Sequence, residues 1–297
     1  MQSIYFYHQL NKDFKFNENE FVSLTSDFSE SLDVFAYLIN IIWQENIKDD
    51  GWKYYAETLG IKYLIQASSL KNLFWGTNLE FNSLAKSIKV FDITSLYINT
   101  RSLIENYLTI FYLYIDNIDF EERRVRWIIY ELSGLKSRQK LFVDGVFKDK
   151  NREKIENEKN RIEELHNELT SYKLYTELND RFKKRIDENN LAKLIGWREI
   201  IVRSKLSLRH FHRMWKLYSN YAYSEFLSIM QIKDYWAKAK DTYFIRNLCL
   251  VSALMLNAVV IVDYKNLYPQ INFSFTKLED NQKRIINLLY SIGKAAT

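Results

Sequence analysis

Apolar residues along this chain recur mostly at helical spacing, three to four residues apart, and the regular alternation of a half-buried strand is scarce. The pattern predicts helices over Ser29–Asn46, after a Ser/Asp cap region, and over Trp52–Phe74 with a break near Gly60. Further helices are expected over Phe81–Ile115 with a break near Asp92, and over Phe120–Phe147 with an interruption at Gly134. The remainder reads as helices over Asn151–Asn189, Leu206–Gln231, Tyr235–Asn266 and Leu278–Gly293. Only the first 25 residues and the stretch QINFSF suit short extended pieces. No series of strands joined by Asn-Gly or Asp-Gly turns occurs. The expected fold class is all-α, a multi-helix bundle in one domain spanning residues 1–297.

Two segments depart from the average pattern. In residues 149–190 the apolar positions Ile155, Ile162, Leu165, Leu169, Tyr172, Leu178 and Phe182 form a narrow heptad-like seam between interspersed acids and bases. That segment is expected to protrude as a charged helical arm or hairpin, either solvated along its sides or used to bind a partner or a second copy. The other segment is Leu248–Val262, an apolar run of 15 residues holding Ser252 and Asn257. A membrane span needs roughly 20 residues, so a helix buried in a globular core is expected and no membrane association.

Composition sharpens this picture in three ways. One proline and seven glycines in 297 residues leave long helices uninterrupted. A hydrophobic share of 47% against 27% charged residues is enough for a large core and excludes a disordered chain. The net charge of +5, from 42 basic and 37 acidic residues, is too mild for a dedicated DNA-binding domain, so nucleic-acid binding needs a local patch. The single cysteine, Cys249, excludes an internal disulfide and a cysteine-based zinc site. No basic and apolar leader opens the chain, and the expected compartment is the cytoplasm.

Most common catalytic signatures are missing. The histidines His8, His166, His210 and His212 form no metal-ligand spacing, and no metal or cofactor is expected. Phosphate-cradling glycine loops and the GxSxG elbow are absent. An Arg-x(4–6)-His pattern of helical nucleases occurs twice, at Arg161–His166 and Arg203–His210. The first copy falls on the charged arm, where no cleft is expected. The second lies in Trp197–Lys216, a stretch with eight Arg, Lys or His residues and one acid. At about 100° per residue, Lys205, Arg209, His212, Arg213 and Lys216 share a broad outer face. Phe211, Trp215, Tyr218, Ala222, Phe226 and Ile229 share another, turned toward the core. The basic face reads as solvated or acid-paired, with binding of RNA or another phosphate-bearing ligand as its alternative use.

One more stripe mixes charge with apolar residues. Thr94, Tyr97, Arg101, Glu105, Leu108 and Tyr112 line one side of an otherwise apolar helix. Arg101 and Glu105, four residues apart, are placed to pair, and the hydroxyls of Tyr97 and Tyr112 are candidate partners. A buried polar network that fixes helix packing is expected before a binding or catalytic pocket.

RSLIENYLTIFYLY together with MWKLYSNYAYSEFLSI resembles the DUF5677-type prokaryotic helical proteins, a family of unknown function, over about Phe91 to Gln231. The resemblance places Arg101 and Glu105 at the family's Arg and Glu positions, and Tyr218 and Ser219 at its Tyr and Ser positions. The family's histidine falls on Tyr223, followed by Ser224. With a reference pKa of about 10, Tyr223 is a poor replacement for a histidine acid or base. Through this family the chain is similar, at fold level, to HEPN-type ribonucleases of antiviral defence and toxin systems.

The expected function is a non-enzymatic helical interaction or structural protein, a subunit of a prokaryotic defence or toxin–antitoxin assembly with a protein partner or a second copy. The first alternative is a HEPN-like ribonuclease or nucleotide-acting enzyme using Arg101, Glu105 and Tyr223, with Tyr97, Tyr112, Ser219 and Ser224 around them. The second is RNA binding by Lys205–Lys216.

Overall fold

The computed structural model describes residues 18–45, 53, 55–81, 86–143, 152–188, 191–222, 224–238 and 243–294. The fold is all-α: among the described residues there are thirteen α-helices and one two-stranded hairpin. The chain forms two units, one from Met1–Ile115 with Ile200–Thr297 and the other from Asp116–Glu199.

The larger unit contains α1 (Glu18–Gln44), α2 (Ala56–Phe74), the hairpin β1 (Thr77–Phe81) and β2 (Lys86–Val90), and α3 (Ile93–Ile110), which runs into a π-helical turn, Phe111–Ile115. The smaller unit contains α4 (Phe120–Val143), α5 (Arg152–Thr170), α6 (Lys173–Thr176) and α7 (Asp180–Asp187). Helix α8 (Trp197–Arg203) leads back to the larger unit. There follow a second π turn (Leu208–His212), α9 (Arg213–Ala222), α10 (Phe226–Lys238), α11 (Tyr243–Leu267), α12 (Asn272–Thr276) and α13 (Asp280–Gly293).

The apolar run of the sequence becomes α11, the central helix of the larger unit. It packs on α1, α3 and α13, and from Ile245 to Tyr264 every residue except Leu248 is buried. Among the described residues it is the one helix long and apolar enough to cross a membrane, and 94% burial makes it a core helix. Each buried Leu, Val, Ile or Met on it contributes about 1.5–3 kcal/mol. Asn257 and Asp263 of this helix bind neighbouring elements. Asn257 donates to Ser31 Oγ of α1 at 3.0 Å and accepts from the Tyr63 hydroxyl of α2 at 2.7 Å. Asp263 Oδ2 accepts from the Tyr107 hydroxyl at 2.8 Å and from Lys294 Nζ at 3.1 Å. Lys294 also donates to the Ser204 carbonyl at 2.9 Å, so the end of α13 is fastened by a buried charge pair.

Several boundaries differ from the expected ones, each for a local reason. Helix α1 begins at Glu18 rather than Ser29 because the apolar spacing extends back through Phe28, Leu24 and Phe21, all buried. The hydroxyls of Thr25 and Ser29 bond back to the Phe21 and Thr25 carbonyls and therefore cap nothing. Helix α2 continues through Gly60. A Cβ there would stand 2.7 Å from Ile39 Cδ1 and 2.8 Å from the Tyr264 hydroxyl, so this glycine serves close packing. The stretch before Asp92 is a hairpin, entered through Gly76 at φ +76° and paired in register from Thr77–Val90 to Phe81–Lys86. Asp92 then caps α3, its side chain accepting from Ser95 N at 2.9 Å. Helix α4 runs unbroken past Gly134, where a Cβ would meet nothing within 4 Å. QINFSF is a 3₁₀ turn followed by α12, not an extended piece. Of the other suggested extended piece, residues 18–25 are helical and the rest lies outside the described residues.

The helix expected over Leu206–Gln231 is interrupted twice. Its first turn is π-helical, and Lys205 before it has φ 56°. Past Ala222 the chain leaves helical geometry. Ser224 takes φ 51°, its N–H reaches the Tyr221 carbonyl at 3.4 Å, and Glu225 N–H bonds the Asn220 carbonyl at 2.9 Å. The two bonds are those of a helix-ending Schellman turn, with serine where glycine is usual.

The smaller unit takes up the charged segment. Its core is Val125, Ile128, Ile129 and Leu132 of α4 against Leu165 and Leu169 of α5, with Tyr175 and Ile186 of α6 and α7. Ile162, Tyr172 and Leu178 pack on its margin, so most of the heptad-like seam is spent inside this unit. The charges are spent there as well. Arg124 binds Glu168 through two bonds of 2.6 Å, Arg161 reaches Glu131 at 3.0 Å, and Arg138 reaches Glu158 at 2.5 Å. Arg–Glu pairs thus bridge α4 and α5 along their length. Arg126, 1% exposed, bonds Asp116 at 2.8 Å and also pairs with Glu122.

Candidate functional site

Residues of the Arg101 stripe and of the basic stretch come together where α3 packs on α9. On α3, Arg101 Nε donates to Glu105 Oε1 at 2.9 Å, closing the expected pair. The same oxygen accepts from Trp215 Nε1 of α9 at 2.8 Å. The Arg101 guanidinium also lies 5.6 Å from the Trp215 ring centre, and the His212 ring stacks on that indole at 6.3 Å. One carboxylate oxygen therefore fixes two helices. An indole N–H on a partly buried face needs an acceptor, and that requirement is the signal by which Trp215 was findable. In the sequence it reads only as a member of the core face. The Arg101 and Glu105 side chains keep 14% and 28% of their exposure, so the pair sits at the rim of the helix contact and not in its depth.

Below that rim the contact is aromatic. Tyr97 stacks on Tyr218 at 4.7 Å and meets Tyr221 edge-on at 4.5 Å. The Tyr218 hydroxyl contacts Cys249 Sγ of α11 at 3.6 Å, and His210 Nε2 lies 2.9 Å from Ser252 Oγ. Ser252 donates its own proton to the Leu248 carbonyl at 2.8 Å, so it accepts from an Nε2–H of His210 and is not activated by that histidine. Burial pushes the His210 pKa down to about 4 and the Cys249 thiol up to about 12. At neutral pH the imidazole is uncharged and the thiol is protonated. Burial likewise holds the Tyr218 hydroxyl well above its ordinary pKa. These groups form a neutral hydrogen-bonded layer, with no thiolate and no serine nucleophile.

The remaining candidate residues are dispersed. Tyr112 is fully buried in the π turn. Ser219 donates to the Trp215 carbonyl of its own helix at 2.7 Å. Ser224 is exposed in the turn after α9, and Tyr223 lies outside the described residues. Lys205, Arg209, Arg213 and Lys216 are exposed, and His212 is half-buried. They do not share one regular helical face, since Lys205 stands in a turn and the π turn shifts the phase before α9. No ion pair links Lys205, Arg209, Arg213 or Lys216 to a carboxylate among the described residues.

The core face of the expected long helix is also redistributed. Phe211 and Tyr218 are buried, whereas Ala222 is exposed. On α10, beyond the turn, Phe226, Leu227, Ile229 and Met230 are 73%, 43%, 54% and 50% exposed. They occupy positions i, i+1, i+3 and i+4, an apolar face of just over one turn, while Ser228 faces inward.

In the smaller unit, a cleft of about 400 Å³ is lined by Lys136, Ile162, Glu163, His166, Asn167 and Asp187. It corrects the expectation of no cleft beside the Arg161–His166 pattern. Arg161 itself is held by Glu131 and Glu164, and His166 Nε2 sits 3.3 Å from Asp187. Among the described residues there is no group of three His, Cys, Asp or Glu side chains placed to hold a metal ion. No family model, curated protein or solved structure matches this chain.

Proposed function

We propose that this chain is a helical interaction protein whose docking surface includes α10, acting as a subunit of a larger assembly. The carrying observation is the exposed face of Phe226, Leu227, Ile229 and Met230 on a helix whose other side packs on α9. Exposed apolar residues clustered on one helix face mark interaction sites, and Phe, Met and Arg are enriched at protein interfaces. The heptad-like seam does not supply this surface, because its central residues are already buried.

A photo-crosslinking residue at Ile229 tests the reading in cells, with the same residue at exposed Phe273 as control. A discrete adduct from position 229 alone is expected. Equal or absent adducts at both positions would remove the reading.

A second reading is phosphate-directed catalysis at Arg101 and Glu105. It is favoured by their partial exposure and by Glu105 Oε2, which has no hydrogen-bond partner among the described residues. Incubation with single-stranded RNA decides it. Cleavage that Glu105→Gln abolishes would establish this reading, and intact RNA would leave α10 docking alone.

A further inference from the structure

The exposed face of α10 follows, along the chain, a set of exposed cations on the π turn and α9. Tyr221 of α9 and Gln231 of α10 are hydrogen-bonded side chain to side chain, so the two helices are joined both at the turn and across it. Arg213 and Lys216, three residues apart, lie along one side of α9, and exposed Arg209 precedes them on the π turn. From Lys216 to the end of α9 is about 9 Å of helix, and the exposed apolar group begins at Phe226, four residues beyond that end. Lys233, on α10 itself, is exposed as well. Between Arg203 and Lys233 the one acid is Glu225. The joined helices α9 and α10 therefore carry an exposed apolar set together with exposed cations that pair with no carboxylate among the described residues.

Resting on the reading of α10 as a docking surface, we propose that the α9–α10 corner binds an acidic amphipathic helix of a protein partner. The apolar side of that helix would cover Phe226, Ile229 and Met230, and its carboxylates would meet Arg209, Arg213 and Lys216. Three features select this occupant. An apolar set at i, i+3 and i+4 matches the anchor spacing of helix-in-groove recognition. Only Phe226 in the set is aromatic, and single-stranded nucleic acid needs stacking platforms that Ile, Leu and Met do not provide. An interfacial membrane helix carries its cations on its own polar face, whereas here most of them stand on the neighbouring helix.

A display library of helical peptides of mixed charge, selected on the full-length protein, tests this. The expected winners are net acidic with apolar residues at i, i+3 and i+4. Their binding should weaken at least tenfold on Phe226→Asp with Met230→Asp, and severalfold on Arg213→Glu with Lys216→Glu. All four positions are at the surface, and circular dichroism verifies that the variants fold. Winners that are neutral or basic yet lose binding on the α10 variant would overturn the acidic partner and leave the docking surface standing. No winners, or winners indifferent to the α10 variant, would overturn both. Co-sedimentation with phosphatidylserine vesicles that the α10 variant abolishes would replace the protein partner with a lipid surface.

Discussion

The two units bury their helices with different chemistry. In the larger one, α11 carries Arg246, Asn247, Ser252, Asn257 and Asp263, all buried, among the large apolar side chains of its core stretch. Arg246, Asn257 and Asp263 hydrogen-bond groups on neighbouring elements, whereas the Asn247 amide is buried without a hydrogen-bond partner among the described residues. In the smaller unit the apolar core is a narrow strip between α4 and α5, and charge closes its sides through Arg–Glu pairs. The first arrangement gains stability mainly by excluding water from large side chains. The second has fewer such side chains and lines them with charge pairs, which contribute little where exposed and are costly to break where buried. The contrast shows that a highly charged helical segment need not be a solvated arm. Here Glu158, Arg161 and Glu168 of α5 each have a counterpart on α4.

The largest expected effect breaks the smaller unit at Arg126, a fully buried charge. Arg126 is held by Asp116 and Glu122, and Asp116 is itself buried. Arg126→Ala strands that carboxylate and should cost about 3–5 kcal/mol. The loss is measured as reduced urea stability followed by hydrogen exchange of amides in residues 116–199. Arg161→Ala in the same unit removes a half-exposed partner of Glu131 and should cost less than about 1 kcal/mol. Equal losses from the two variants would show that burial does not separate these charges.

The next effect separates the units by pH. The pKa of His210 in the larger unit is about 4 when folded, against about 6.5 for a free histidine. The unfolded chain therefore takes up the proton first as pH falls. The His210 contribution is complete above pH 6.5 and declines toward pH 4, by up to about 3 kcal/mol. Asp263 acts in the opposite direction, because burial raises its carboxyl and lets the folded state take a proton early. In the smaller unit the Arg124 guanidinium holds the Glu168 carboxyl below its ordinary range, so that contribution is lost only at more acid pH. Between pH 6.5 and 4.5 the His210 contribution should be lost while Arg124–Glu168 still holds. The slope should flatten in His210→Gln, and an unchanged slope would remove His210 as its source.

A smaller effect concerns the bond between α3 and α9. Trp215→Phe keeps most of the ring area and removes the N–H that Glu105 Oε1 accepts at 2.8 Å. Glu105 is part-exposed, so water replaces the donor and the cost should be about 1 kcal/mol. Thermal unfolding of Trp215→Phe, Arg101→Met and the double variant measures whether the two donors act independently. Additive losses would mean that the shared oxygen does not couple them.

Much of the fold was legible because it follows from apolar spacing. The central helix, the all-α class and the Arg101–Glu105 pair all depend on local periodicity or on contacts within one turn. What was not legible depends on partners far away in sequence. The seam of residues 149–190 reads as an arm until α4 supplies Val125, Ile128 and Ile129 to cover it. The hairpin before Asp92 was hidden because its strands are short and lack an Asn-Gly turn. Trp215 gave no sign of its acceptor 110 residues earlier. The exposure of α10 was concealed by a single serine, since helical phase was carried through Ser224 as though the helix went on.

That serine gives the smallest and most local test. Ser224 holds φ 51°, a region in which a side chain costs about 1 kcal/mol or more relative to glycine. Its N–H and that of Glu225 bond the carbonyls of Tyr221 and Asn220, while the serine Cβ opposes the turn. Ser224→Gly removes the opposition and also loosens the unfolded chain, and these terms partly cancel. A gain of about 0.5 kcal/mol is expected, read as a rise in midpoint with unchanged urea slope. Ser224→Val should have the opposite sign and the larger size, because a β-branched residue is poorly tolerated at positive φ. If Val is neutral and Gly destabilises, the helix runs straight through this position. Phe226 and Ile229 would then return to the phase of Tyr218, and the exposed corner of the larger unit would not exist.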